Sequence, residues 1–162
     1  MRAGKHTIRE FERSDLAEVK ELIYRTIDVC YKDYYCDKAI AFFKDWHCDE
    51  HILGDAGNGY MIVLVENQEL IATGAVNDGE IKRVFVAPEL QGKGFGRLIM
   101  ERLEDRAKQE GIGAVRLDAS LPSKRFYDLL GYATAEKTFH ELEKSKRLDY
   151  YRMEKNLFSS VQ

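Results

Sequence analysis

The chain reads as an α/β protein with a mixed, mostly antiparallel central sheet of about seven strands flanked by about four helices. Three observations predict this. Apolar patterns alternate between a strand period of two and a helical period of about 3.6 residues, in the order β-α-α-β-β-β-α-β-α-β-β. Three consecutive strand patterns between Tyr60 and Val86 are joined by tight turn signals, as in an antiparallel meander. A glycine-rich run then opens the next helical pattern directly after a strand.

The elements follow in order. His6 to Arg9 suits a first strand. Ser14 offers an N-cap to a helix marked by Leu16, Val19, Leu22, Ile23, Ile27 and Cys30. A second helix is expected from about Asp37 to Ile52, with Ile40, Phe43, Trp46 and His47 on one side, broken by Gly54, Gly57, Asn58 and Gly59. Tyr60 to Glu66 is nearly all apolar, as for a strand buried on both faces. Asn67-Gln68 turns it into Leu70 to Val76, and Asn77-Asp78-Gly79 turns that into Glu80 to Val86. Leu98, Ile99, Leu103 and Ala107 mark an amphipathic helix ended by Gly111 and Gly113. Ala114 to Ala119 is another strand. Pro122 suits the first turn of a short helix through Leu130, and Gly131 is a natural stop. Tyr132 to Glu143 and Leu148 to Leu157 complete the sheet. Tyr150, Tyr151 and Met153 of the final strands either pair across a homodimer interface or close the sheet.

Composition narrows the class. With 162 residues, 44% hydrophobic and 33% charged, the chain suits one domain, residues 1–162, with a real core. The longest aliphatic run, Met61 to Val65, is far short of the roughly 20 residues of a membrane helix. The first residues are polar and lack an apolar signal core. Cys30, Cys36 and Cys48 form no C-x-x-C pair, and free thiols fit a reducing compartment, so the expected location is cytoplasmic, with no membrane partner. Residues 1–81 carry 9 basic and 16 acidic side chains; residues 82–125 carry 10 and 6; residues 126–162 balance. A mildly acidic chain with a basic middle is not built for nucleic acid. It could hold a small polyanion there, although solvated helix faces give the same tally.

The run Val84-Phe85-Val86-Ala87-Pro88-Glu89-Leu90-Gln91-Gly92-Lys93-Gly94-Phe95-Gly96-Arg97 is the most informative. The first N–H groups of a helix lack internal partners, and its dipole there favours negative charge. Glycines let main chain approach a phosphate. Lys93 is followed by glycine, not Ser/Thr, which excludes a Walker A loop, and the spacing with the meander before it departs from a dinucleotide fingerprint. Gln91-x-x-Gly94-x-Gly96 satisfies a third phosphate pattern, Q/R-x-x-G-x-G/A.

On these residues the chain resembles the GCN5-related N-acetyltransferases (GNAT). The likeness covers nearly the whole element order and is strongest from Glu80 to Tyr132. It implies that acetyl-CoA is the cosubstrate, with no metal. Its pyrophosphate would meet Gln91, Gly92, Lys93, Gly94, Phe95, Gly96 and Arg97, and its pantetheine arm would pair with Val84, Phe85 and Val86. Lys93, Lys124 and Arg125 are candidates for the 3′-phosphate. The segment Asp118 to Tyr132 is similar to a second family signature at Phe126, Tyr127, Gly131 and Tyr132. It departs from that signature at Ser120, where Asn is usual, and at Ser123, where Ala is usual; Ser120 would partly replace the Asn contact to the cofactor.

The implied reaction is direct acetyl transfer to a primary amine in a ternary complex. Tyr127 would protonate the departing thiolate. Glu80 would take the amine proton, its plain alternative being a solvent-facing residue after a turn. A main-chain N–H near Val86 would polarise the carbonyl. Strand alternation expects Glu80, Lys82, Val84 and Val86 on one face of the sheet, and Ile81, Arg83 and Phe85 on the other. Tyr31, Tyr34 and Tyr35 with Asp33 and Asp37 suit a cationic acceptor, either a small-molecule amine or a peptide. His47-Cys48-Asp49-Glu50-His51 fits H-x-x-E-H, a zinc pattern, but a helix packed on a sheet explains it better. Two rivals stand beside the enzyme: a non-catalytic acyl-CoA-binding sensor on the same fold, and a nucleotide-binding domain.

Overall fold

The structure, a computed structural model, describes residues 4–158. Seven strands form one mixed sheet: β1 (His6–Glu10), β2 (Tyr60–Glu66), β3 (Glu69–Asn77), β4 (Glu80–Val86), β5 (Ala114–Ser120), β6 (Ala133–Glu141) and β7 (Arg147–Asn156). Their order is β1-β2-β3-β4-β5-β7-β6, and only β4 and β5 run parallel. Five helices cover it: α1 (Leu16–Cys30), α2 (Asp37–Trp46), α3 (Asp49–Asn58), α4 (Phe95–Gln109) and α5 (Lys124–Leu129). One core packs Ile99, Met100 and Leu103 of α4 and Tyr127 of α5 on one face of the sheet. The other packs Val19, Ile23 and Ile27 of α1, Ala39 of α2 and Ile52 of α3 on the opposite face.

The turns behave as their residues demand. Asn67 and Gln68 both take positive φ, as do Asp78 and Gly79, so both hairpins use the left-handed turns that match strand twist. The meander spans Tyr60–Asn77 and continues through Glu80–Val86.

Three expectations are corrected and one open choice is resolved. The second helix is two: the chain breaks at His47 and Cys48, and α3 then runs through Gly54 and Gly57 to Asn58, so five helices flank the sheet. Ser14 is not the N-cap, because Glu12 and Asp15 close a reciprocal capping box around it, with the Glu12 N–H donating to Asp15 Oδ2 at 2.8 Å. Asp15 also takes a bidentate pair from Arg9, which holds its carboxyl below the usual range. The β7 strand lies between β5 and β6 with Tyr150 and Met153 buried, so it closes the sheet, and the free edge on that side is β6.

The third correction positions the site. Thr73 pairs with Phe85 but Ala75 pairs with Lys82, so Gly74 alone opposes both Arg83 and Val84. Arg83 takes φ 58, a left-handed conformation costing a non-glycine residue on the order of 1–2 kcal/mol. This bulge resets the alternation. Ile81, Val84 and Val86 pack in the α4 core, whereas Lys82, Arg83 and Phe85 face α2 and α3. A buried polar knot secures it. Arg83 Nε donates to Asp55 Oδ2 at 2.6 Å, and Nη1 donates to the Trp46 carbonyl at 3.1 Å and to His47 Nδ1 at 2.6 Å. The break between α2 and α3 delivers those last two acceptors. Beyond Ile81, β4 no longer pairs with β5, and the two strands part.

Two stability predictions follow from this bulge. A Cβ on Gly74 would lie 2.6 Å from Ile99 Cγ2 and 3.0 Å from Leu103 Cδ1. Gly74→Ala should therefore destabilise the fold by about 1–3 kcal/mol through overpacking, read as a lower urea midpoint. An unchanged midpoint would show that α4 does not sit tightly on the bulge. His47 is held neutral, with its pKa pushed down to about 3 by burial, then by the charges of Arg83 and His51. Between that value and the usual 6.5 the unfolded chain binds the extra proton, so stability is complete above pH 6.5 and falls as pH drops toward 3. His47→Asn keeps an acceptor for Arg83 and removes the titration. Urea unfolding at pH 6.5 and 4.5 should show a smaller acid loss in the variant than in the parent; equal losses would sink the assignment.

Candidate active site

The parting of β4 and β5 leaves a wedge, and two cavities fill it. The first, about 600 Å³, runs along Val84, Phe85 and Val86 to the glycine loop and is closed by Ser123 to Tyr127 and by Cys30 and Tyr31. The second, about 190 Å³, is lined by Phe42, Phe43 and Trp46 of α2, by Glu80 and Lys82 of β4, by Asp118 and Ser120 of β5, and by His47, His140 and Tyr150. They share five residues: Tyr31, Val84, Phe85, Ser123 and Tyr127.

The loop is shaped by conformation. Gly92 and Gly94 take φ 78 and 91, and nothing lies within 4 Å of where their side chains would be, so this main chain is open to close approach. Gly94 caps α4, whose first N–H groups have no partner within the helix. Gly96 is glycine for a different reason: a Cβ there would meet Phe126 Cζ at 2.9 Å. The Gln91 amide donates to the Val86 carbonyl at 3.0 Å and so ties the loop to the end of β4. Arg97 and Arg125 line the first cavity; the Phe95 ring instead packs into the α4 core against His6, and Lys93 is exposed outside the lining. Lys124 is paired with Asp128 at 2.8 Å.

Tyr127 sits where the cavities meet. It is 7% exposed, and its hydroxyl bonds no protein group among the described residues. Since no buried side-chain oxygen or nitrogen there lacks a partner, that hydroxyl opens onto the shared space. Burial, then the neighbouring Tyr31 phenol, pushes its pKa up, so it keeps its proton at neutral pH. Ser120 lines the second cavity rather than the first and shares a 2.6 Å contact with Ser123 Oγ. Tyr31 stands beside them, with its pKa raised by burial and partly offset by the two serine hydroxyls.

The second cavity carries opposed charges. Glu80 lies 3.7 Å from both Lys82 and Arg116. The Asp118 carboxyl is raised by partial desolvation between the strands, opposed by Arg152 at 3.9 Å and assisted by the Glu80 charge. Of the expected acceptor cluster, Tyr31 lines both cavities. Tyr35 is buried and structural, donating to the Asp149 carbonyl at 2.7 Å and accepting from the Leu121 N–H at 2.9 Å. Tyr34, Asp33 and Asp37 are exposed and line neither cavity. His47 and His51 do not share a helix face, because His47 precedes α3; His51 Nδ1 lies 3.0 Å from the Trp46 carbonyl. Among the described residues no cluster of His, Cys, Asp and Glu is arranged to hold a metal ion. Nor is any described helix long and apolar enough to cross a membrane.

Sequence reading missed His47, Asp118, His140 and Tyr150 as lining residues and Arg83 as a buried charge. Period-two alternation around Asp118 on β5 would have found that residue. His47 and Arg83 depend on a break and a bulge that no local pattern marks, and His140 and Tyr150 on how β6 and β7 pair beside β5.

Comparison with known proteins places this geometry. The family model described as "Acetyltransferase (GNAT) domain" matches residues 31–157. An IAA acetyltransferase of Azospirillum brasilense is 42% identical over 43 residues, 26% of this chain and 28% of that protein. The matches span under half the length of the curated relatives. The GCN5-related N-acetyltransferase structure from Rhodopseudomonas palustris has the same fold, with TM-score 0.86 and 16% identity over 96% of this chain and 98% of that one. So does the PaiA N-acetyltransferase of Thermoplasma acidophilum, solved with coenzyme A, with TM-score 0.73 and 18% identity over 94% and 99%. The chain belongs to the GNAT acetyltransferase family.

Proposed function

We propose that the protein is an acetyl-CoA-dependent N-acetyltransferase that moves an acetyl group to a primary amine by direct transfer in a ternary complex. The observation that carries this reading is the meeting of two differently built cavities at one buried phenol, Tyr127. The first suits a long, anionic cosubstrate. Gly92, Gly94 and the start of α4 offer unshielded main chain for its pyrophosphate, and Arg97 and Arg125 offer charge for its phosphates. Val84 to Val86 offer strand main chain where β5 has turned away. The Thermoplasma acidophilum relative, solved with coenzyme A, supports the assignment. The second cavity suits an amine, from a small molecule or a peptide.

Bound acetyl-CoA supplies the activated acyl group. As the amine nitrogen bonds the acetyl carbon, the carbon–sulfur bond breaks, the amine loses a proton and the thiolate leaves. Glu80 is the proposed proton acceptor, directly or through water, and Asp118 faces the same cavity. Tyr127 keeps its proton at neutral pH and donates to the thiolate. A main-chain N–H near Val86 polarises the carbonyl. Both substrates bind before transfer, so no group on the protein need be acetylated. The reading extends to a one-domain cytoplasmic enzyme.

The test is coenzyme A release across a broad amine panel, beside calorimetry with acetyl-CoA, ATP and NAD. Tight acetyl-CoA binding with silence on every amine would favour a sensor over an enzyme; tight binding of ATP or NAD instead would favour a nucleotide-binding domain. Tyr127→Phe should lower kcat by about 100-fold, the lower end expected for a lost general acid, with acetyl-CoA affinity changed only a few-fold. Unchanged kcat would remove Tyr127 from the chemistry. Gly94→Ala forces a side chain into φ 91 and should weaken acetyl-CoA binding about tenfold by calorimetry, as strain of 1–2 kcal/mol implies. Full affinity in that variant would refute the phosphate cradle.

A further inference from the structure

Arg83 donates to His47 Nδ1 at 2.6 Å, and Arg has no acceptor to offer in return. That bond fixes the tautomer: Nδ1 is the bare nitrogen and Nε2 carries the hydrogen. His47 is 6% exposed, yet no protein group among the described residues bonds Nε2. No buried nitrogen there lacks a partner, so Nε2 reaches open space, and the space that His47 lines is the second cavity. The ring is held from the side by Phe85, centroids 5.1 Å apart at 87°. The result is a rigid, uncharged N–H donor on one wall. Glu80 and Asp118 stand among the other lining residues. At about 190 Å³ the cavity holds the volume of about six waters, taking ~30 Å³ for each.

We infer that His47 selects the acceptor: its Nε2–H donates a hydrogen bond to an oxygen that the substrate carries close to its amine, so the preferred acceptor is a small amine bearing a carbonyl, carboxamide or carboxylate. The inference rests on the N-acetyltransferase reading above. A donor with no protein partner rewards a substrate that supplies the acceptor, and it is left desolvated by one that does not. It also assigns a use to the first histidine of the H-x-x-E-H run, which lies in the break before α3 and off the helix that carries His51. Arg83 is then a positioning residue. It lines the edge of the same cavity, but its three bonds leave it committed to α2, α3 and the bend between them, where it holds the tautomer.

Matched amine pairs test this with acetyl-CoA and coenzyme A release: phenylalaninamide against phenethylamine, and leucinamide against isoamylamine. In the wild-type enzyme the amide of each pair should be preferred about tenfold or more in kcat/KM. His47→Asn keeps an acceptor for Arg83 and withdraws the donor; it should bring the ratio within about threefold of one, mainly by raising KM for the amide. A purely structural role for His47 would lower both members of a pair together and leave the ratio intact. Nitrogen NMR of the wild-type histidines gives a second reading that needs no variant: His47 should carry its proton on Nε2, and that signal should move when phenylalaninamide is added with coenzyme A. Equal use of both members of each pair, a ratio that survives His47→Asn, or a proton on Nδ1 would overturn the inference while leaving the transferase standing. Silence on all four amines, and on the broad panel, would instead end the transferase reading and this one with it.

Discussion

A buried guanidinium bends the sheet, and the site depends on that bend. Arg83 sits in the middle of β4 in a conformation that a side chain seldom adopts, with its charge withdrawn from water. Neither feature is favourable alone. Together they are held by Asp55 from α3, by the Trp46 carbonyl at the end of α2, and by His47 in the break between them. Removing either half of such a pair exposes the full cost of the other, about 3–5 kcal/mol for a buried ion pair. Gly74 completes the arrangement on the opposite strand. Two residues of β4 crowd against it, and Ile99 and Leu103 of α4 fill the space where its side chain would be.

The consequences run outward from there. Strand β4 pairs with β5 only at Glu80 and Ile81, then leaves it. At the wedge between them, side chains from both faces of the sheet reach one point. Tyr127 arrives from the α4–α5 side, and Tyr31 and Phe85 from the α1–α3 side. The same residue that sits at the bulge also sets the tautomer of His47 on the wall of the second cavity, so the bend and the proposed selectivity share one origin.

Charge is deployed less simply than the totals suggest. The basic surplus of residues 82–125 includes Arg97 and Arg125 at the first cavity, but Arg83 is structural and Lys124 is committed to Asp128. The acidic first half does contribute Glu80 to the second cavity, yet Asp118 comes from the basic segment. Counting charges along the chain locates neither cavity, because the fold interleaves β4 and β5 from opposite ends of that segment.

What the amino-acid sequence determined by itself was local. Apolar periodicity and turn residues set the meander from Tyr60 to Val86, since Asn67, Gln68, Asp78 and Gly79 act over a few bonds. Glycines at 92, 94 and 96 marked the open loop before α4 for the same reason, and Phe126-Tyr127 with Gly131 marked the short helix that carries the buried phenol. Tertiary structure decided what depends on partners distant in the chain. Nothing near Arg83 announces a bulge, because Asp55 and His47, some 28 and 36 residues away, are what stabilise it. Period-two alternation therefore placed Val84 with Glu80, and the fold moved it to the other face. The helical run from Asp37 was likewise read through His47, whose side chain is worth more as a bent acceptor for a buried cation than as another turn of helix.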